Sequence, residues 1–391
     1  MKKIQISPTD PVFVQNPYQI YSQIQQKVVY WSEYEMPAAF SYNEIDSLFR
    51  NKDLGREIKH SPQVPIPDHL QPFYDIEAHS MLELEPPRHT HLRKMVLHAF
   101  TSRRIATLGP EITALCHSLI DDFPSEPFDI LSTFATQVPV IVIARLLGVP
   151  ESMTPDLLRW SNDMVMMYQA RRTRELEERA VASTIEFSTF MGEYIEKRRA
   201  QPADDLISHL IAAEEDGARL TRQEVITTCI LLLNAGHEAT VHTLGNGIKA
   251  IIEHGTNPEW FAQSTIAGTV EEILRYDPPL HMFTRYVYNT VNVAEHTLNP
   301  GDQIALMIGA SGRDPKRWDS PETFDPMRVV QKNHAFGSGI HFCLGAPLAR
   351  MEMQIALQAL FQRHPNLRIT SHPKYANLYH FHGLEALWVQ T

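Results

Sequence analysis

Residues 336–350 read FGSGIHFCLGAPLAR. A cysteine sits in a glycine-bracketed loop, and helical spacing starts at Ala346 and runs to about His364. The start of a helix offers free N–H groups and a positive dipole end, both of which favour an anion, so Cys343 is expected to be an accessible thiolate. Gly337, Gly339 and Gly345 allow the backbone to approach something flat and bulky and to aim N–H groups at the sulfur. A lone cysteine is more often a buried, inert thiol. A zinc reading of His341-Phe342-Cys343 fails for want of a second ligand pair at metal spacing.

Working outward, the chain has 391 residues, 43% of them apolar, which supports a sizeable core in one large domain or two ordinary ones. The formal net charge of −11 argues against a nucleic-acid binder. The three cysteines, Cys116, Cys229 and Cys343, form no Cys-x-x-Cys pair, and an odd count fits a reducing compartment. The opening MKKIQISPTDPVF has two lysines and no apolar run to follow, so no signal peptide is expected. No apolar stretch is long enough for a membrane span, and a cytoplasmic location is expected.

Proline-rich residues 61–73 read as a long loop. Helical spacing follows Pro87 through Ala99, covers roughly 108–122 and 132–147, and forms two long helices within 155–198 whose charges read as a solvated face. The clearest helix starts at Thr221, where TRQE is a capping box, and runs to His254 before Gly255, about 33 residues or ~50 Å. Its first half is apolar nearly all round. Another helix is expected over Pro258–Tyr276, and short alternating segments follow in TRYVYNTVNVA and QIALMI. The fold class is therefore mainly α with small β-sheets. The lack of strand–helix alternation argues against a doubly wound sheet.

Phe336, Gly339, Cys343 and Gly345 fill F-x-x-G-x-x-x-C-x-G, which resembles the haem-binding loop of the cytochrome P-450 family. Other matches follow in order along nearly the whole chain. PPRHTHLR resembles the haem-propionate helix, with His89 and Arg93 four apart on one face. Glu272 and Arg275 of EEILR, with Arg328 of FDPMR, resemble the family's buried Glu–Arg–Arg triad. Arg285 and His341 match two further propionate partners. The resemblance implies a triangular-prism fold, a single catalytic haem domain spanning 1–391, and haem b held by Cys343 as axial iron ligand. Phe336, Gly337 and Gly345 shape the loop, and Ala235 and Gly236 lie against the cofactor.

Residues 234–241, NAGHEATV, match the family's oxygen-binding turn. Gly236 costs ~1 kcal/mol of helix stability relative to alanine, and its implied use is to let O2 and substrate approach beside the backbone. Glu238 resembles the acid of an acid–alcohol pair that delivers protons. The family usually has threonine next, but here that position is Ala239. Thr240 follows, turned about 100° round the helix, and cannot simply substitute. Glu238, Ala239 and Thr240 are the implied catalytic set. The implied activity is a monooxygenase inserting one atom of O2 into a hydrophobic small molecule, with electrons from a ferredoxin served by an NAD(P)H-dependent reductase. A non-oxidising haem sensor and a peroxide-driven enzyme are the alternatives. Candidate substrate walls are the 65–80 loop, Asn234, Ala235, Ala239, Leu280–Phe283 and the turn at His380–Phe381. His281, His380 and His382 either add polar contacts there or lie on the surface. Arg88, Arg93, Lys94, Arg103 and Arg104 form a candidate basic docking patch.

Overall fold

The computed structural model describes all residues except 25, 60–64, 169–171, 216–217 and 379–380, and only the backbone of 102, 103, 214, 215 and 218. Contacts divide the chain into two compact units. One comprises Met1–Ser61, Thr113–Ala135 and Ala239–Thr391, the other Pro62–Ile112 and Thr136–Glu238.

The first unit is built on a six-stranded mixed sheet in the order Lys3–Ile4, Val28–Trp31, Met36–Ala39, Gln303–Met307, Met282–Val287, Leu54–Gly55. Met36–Ala39 and Gln303–Met307 run parallel, with Leu306 opposite Ala39, and Met282–Val287 is antiparallel to the latter, with Arg285 opposite Ile304. Side chains alternate across the sheet. Val28, Ala39, Ile304 and Leu306 pack with Ile45, Leu48 and Phe49 of the helix Tyr42–Arg50. Val29, Ala38, Ala305 and Met307 join Tyr21, Trp31 and Phe40. The expected strands of TRYVYNTVNVA and QIALMI are thus present, as Met282–Val287, Val291–Val293 and Gln303–Met307, and the apolar run of the last is covered on both faces.

The same unit holds the helices Ile266–Tyr276 and Ala346–Arg363. The helix expected over Pro258–Tyr276 is broken. A 3-10 turn, Pro258–Phe261, ends at extended Ala262, and the helix begins only at Ile266. The hydroxyl of Thr265 donates to the Glu259 carbonyl and that of Thr269 to the Trp260 carbonyl at 2.7 Å. These threonines satisfy the turn's carbonyls in place of helix continuation.

In the second unit, Thr154–Val165 and Arg174–Ala200 pack through stacked Trp160 and Phe187, 5.0 Å between ring centres. The charges of Arg174–Ala200 lie outward, as in the Arg174–Glu178 pair at 2.6 Å. Residues 61–73 are not a loop throughout: Asp68–Leu70 is a 3-10 turn and Gln71–Glu77 a helix, while 61–64 lie outside the described residues. Pro72 falls in the first helical turn, where its missing N–H costs nothing, and Leu70, Phe73 and Ile76 are buried.

Helix Arg222–Glu253 contributes to both units, which divide between Glu238 and Ala239. Its capping box is formed. The Thr221 N–H donates to Glu224 Oε2 at 2.8 Å, and the Glu224 N–H to Thr221 Oγ1 at 3.2 Å. No helix among the described residues is long and apolar enough to cross a membrane.

Candidate active site

The cysteine loop is a backbone construction. Gly337 and Gly339 adopt φ of +68° and +74°, which only glycine takes without strain. A side chain at Gly339 would also collide with the Phe49 carbonyl. Gly345 differs. It caps the following helix at φ −77°, so its conformation does not demand glycine, and a Cβ there would stand 3.9 Å from the Cys343 sulfur. The Gly337 N–H donates to the His334 carbonyl at 2.8 Å and the Cys343 N–H to the Phe336 carbonyl at 3.0 Å. These bonds fold the loop back under its own sulfur.

Cys343 is half-buried, whereas Cys116 and Cys229 are fully buried. Burial, with Glu352 adding to it, pushes the Cys116 thiol up to about 12, and burial likewise raises Cys229. Two of the three cysteines are therefore held as inert thiols, while Cys343 stands half-buried on the glycine-shaped loop.

Phe336 is clasped by a cation that the sequence did not single out. The Arg350 guanidinium lies 4.6 Å from its ring centre and pairs with Glu271 on Ile266–Tyr276. Arg285 is buried, donates to the Thr284 carbonyl at 2.8 Å, and stands 5.2 Å over the Phe49 ring. Phe49 thus touches both Arg285 and Gly339, which places a buried cation and the cysteine loop in one neighbourhood. His341 is half-buried in the 3-10 turn Gly339–His341.

The triad implied by the resemblance is present, with Glu272 and Arg275 buried and Arg328 half-buried. Arg275 Nε and Nη2 each donate to Glu272 at 2.7 Å, and Arg328 Nε lies 3.3 Å from the same carboxylate. The remaining donors of Arg275 go to the carbonyls of Gly312, Pro321 and Thr323 at 2.8–2.9 Å. The pair is therefore fully satisfied, which a buried charge requires.

In the second unit, His89 is buried and Arg93 half-buried on one face of the helix Arg88–Ala99. Ala235 is exposed and Gly236 half-exposed, while Leu233, Asn234 and His237 are buried. The long helix thus turns a small-residue face outward at the oxygen-turn motif. Gly236 has a packing role as well, because a Cβ there would meet Ile143 Cδ1 at 2.8 Å. Glu238 is mostly buried, with Oε1 4.0 Å from His237 Nδ1. Asn234 donates to Met164 Sδ at 3.8 Å. In the first unit, Ala239 is half-exposed and Thr240 buried, and the Thr243 hydroxyl donates to the Ala239 carbonyl at 2.7 Å.

Within the first unit, Leu280 and Phe381 pair as an isolated bridge, which brings two of the expected substrate walls together. His380 lies outside the described residues. His281 and His382 are not surface residues: they gather around buried Asp277, whose Oδ1 is 3.3 Å from His382 Nε2 and 3.9 Å from His281 Nε2. Burial alone would raise the Asp277 carboxyl, but His382, His281 and the Tyr375 hydroxyl outweigh it and hold it well below the usual range. Burial, then the nearby His382, holds His281 well below the usual histidine range.

These pieces fit a haem. In the first unit a half-buried sulfur stands on a glycine-shaped loop, and Phe49, which packs against that loop, also lies under a buried arginine. The cytochrome P450 family model matches residues 16–259 and 266–367. The polyketide biosynthesis cytochrome P450 PksS of Bacillus subtilis is 33% identical over 387 residues, covering 95% of this chain and 94% of that one. The 6-deoxyerythronolide B hydroxylase of Saccharopolyspora erythraea is 34% identical over 342 residues, covering 86% and 82%. The crystal structure of P450BioI with a hexadec-9Z-enoic acid-ligated acyl carrier protein superposes at a TM-score of 0.89 and 29% identity, covering 97% and 99%. By the reach of the family match and the likeness of these relatives, the chain belongs to the cytochrome P450 family, oxidoreductases that carry haem b and use O2 as monooxygenases.

Proposed function

We propose that residues 1–391 act as one haem domain that oxygenates a hydrophobic, polyketide- or fatty-acyl-like small molecule. The half-buried Cys343 on its glycine-shaped loop is the observation that carries this reading. Haem b, when bound, supplies an iron centre that activates O2. Cys343 gives that iron its thiolate ligand, with Phe336, Gly337 and Gly345 shaping the loop around the sulfur. Arg285, His341, His89 and Arg93 bind the propionates by charge-assisted hydrogen bonds. Ala235 and Gly236 leave room beside the helix for O2 and substrate.

Glu238 holds the proton to be delivered, its carboxyl beside His237. Ala239 has no hydroxyl to pass that proton on. Thr240 is buried and the Thr243 hydroxyl is committed to a carbonyl, so ordered water or a substrate hydroxyl completes the path. The substrate class is supported by PksS, named for polyketide biosynthesis, and by the acyl chain in the P450BioI complex.

Electrons come from a ferredoxin with its NAD(P)H-dependent reductase, in the cytoplasm. Of the basic docking patch, exposed Arg88 and Lys94 fit best. Arg104 pairs with Asp204 at 3.4 Å, and the side chain of Arg103 lies outside the described residues.

The test is turnover with NADH, reductase and ferredoxin against turnover with peroxide alone. The reading requires the reduced, CO-treated protein to show the red-shifted Soret band of thiolate ligation, and Glu238→Gln to lower product formed per NADH. An unshifted band ends the haem-thiolate reading, and unchanged coupling in Glu238→Gln ends the relay.

A further inference from the structure

Among the described residues, Asp277, His281 and His382 bring three potential metal-donor atoms within 4.8 Å of one another. Asp277 follows the last turn of Ile266–Tyr276, His281 precedes the strand Met282–Val287, and His382 lies just before the strand Leu384–Ala386. We propose that these three side chains form a binding site for a divalent transition metal, zinc in the first place, separate from the haem ligand Cys343. Two imidazoles and a carboxylate are a donor set that suits zinc.

The distances are close to what is needed. Donors at about 2.0–2.2 Å from a tetrahedral zinc stand roughly 3.2–3.5 Å apart. Asp277 Oδ1 is already 3.3 Å from His382 Nε2 and 3.9 Å from His281 Nε2. The two rings lie 4.3 Å apart, centre to centre, inclined at 37°.

The supporting shell is already built. The Tyr375 hydroxyl donates to the other Asp277 oxygen at 2.6 Å, and its ring stacks on His382 at 3.9 Å. The Tyr21 hydroxyl is 3.2 Å from His281 Nδ1, the nitrogen that would not face the metal. Asn246 Nδ2 donates to the His382 carbonyl at 2.8 Å and the Asp277 carbonyl at 3.2 Å, tying two of the three ligand backbones to the long helix. Such outer partners orient metal ligands and set their affinity. Tyr18 Oη donates to Asp277 Oδ1 at 2.7 Å and lies 3.2 Å from His281 Nε2, where a fourth ligand would come.

His281 and His382 line a pocket with Phe13, Tyr21, Trp31 and Met282. One charge opposes the metal: the Arg313 guanidinium stands 3.8 Å over the Tyr18 ring. Its Nε and Nη2 donate to the Tyr276 carbonyl at 3.0 and 2.9 Å. Arg313 brings a positive charge near the site and lowers its affinity for a cation relative to a site without it.

The test uses the haem-loaded protein, stripped with chelator and dialysed against micromolar zinc. One zinc per chain is expected at the site, and crystals soaked in zinc should show an anomalous peak between the three side chains at the zinc edge. His281→Gln should weaken zinc binding at least about tenfold. His209→Gln, which alters an exposed His–Asp pair, should leave it unchanged. Zinc binding equal in His281→Gln and the parent, or no anomalous peak at Asp277, overturns the proposal. If His281→Gln fails to take up haem, the peak in the parent crystals decides alone.

Discussion

The cysteine loop and the Asp277 cluster are two polar constructions in the same unit, made by opposite means. The loop is contiguous. Its shape comes from two positive-φ glycines and backbone bonds over residues 334–346, and its chemistry rests on one sulfur. The cluster is assembled from side chains at positions 18, 21, 277, 281, 375 and 382, with hardly any local geometry in common. One helix serves both. Ile266–Tyr276 sends Glu271 to Arg350 behind the loop, delivers Asp277 to the cluster at its end, and is pinned between them by Glu272 and Arg275. A backbone-made site tolerates change around it as long as its few special residues remain. A site made of distant side chains depends on every element that delivers one.

Cys343→Ser strikes the loop where it has no substitute. Abolished turnover and loss of the red-shifted CO band are expected, while Cys116→Ala leaves the band in place, read by difference spectroscopy of the reduced proteins. Arg275→Ala should damage both regions together. It strands the Glu272 carboxylate and three carbonyls, and leaving a buried charge uncompensated costs about 3–5 kcal/mol, measurable as a lower denaturant midpoint with loss of haem retention. If only one region loosened, their dependence on a shared helix would be wrong.

The loop is also expected to be sensitive to acid. His334 stacks on Tyr42 at 4.3 Å and lies 3.2 Å from Ser311 Oγ and from Asp46 Oδ1. Burial, against the pull of Asp46, holds its pKa down at about 4 compared with 6.5. Between those values the unfolded chain takes up a proton that the folded chain refuses. Stability therefore falls as pH drops through 6.5 and has lost up to about 3 kcal/mol by pH 4. In His334→Gln, the slope of unfolding free energy between pH 7 and 5 should flatten. The smallest effect belongs to the cluster: Tyr375→Phe removes one of two hydroxyls on Asp277 and should cost about 2 kcal/mol in equilibrium unfolding, with the CO band unchanged.

The same contrast explains what could be read in advance. Phe336, Gly339, Cys343 and Gly345 announce themselves because their relations span ten positions, and the capping box at Thr221 because its bonds span four. Short-range chemistry leaves short-range spacing. The Phe49 carbonyl beneath Gly339, Ile143 over Gly236 and Arg350 on Phe336 leave no such trace, since each joins elements that meet only in the fold. His281 and His382 read as surface or pocket residues because nothing in their own neighbourhood names Asp277 and the tyrosines as partners. The break at Ala262 escaped for a related reason: Thr265 and Thr269 keep helical spacing while their hydroxyls turn back to the preceding carbonyls.

The parallel pairing of Met36–Ala39 with Gln303–Met307 has a consequence in time. Leu306 stands opposite Ala39, so the partner emerges about 267 residues after the strand that needs it. At a synthesis rate of roughly 5–20 residues per second, that is a wait of about 13–53 s on the ribosome. Throughout it, the Val28–Trp31 and Met36–Ala39 hairpin offers an apolar, hydrogen-bonding edge to any other chain nearby. The nascent protein is most exposed to aggregation while its earliest strands are waiting for a late one, and any haem or metal can be captured only after that strand arrives.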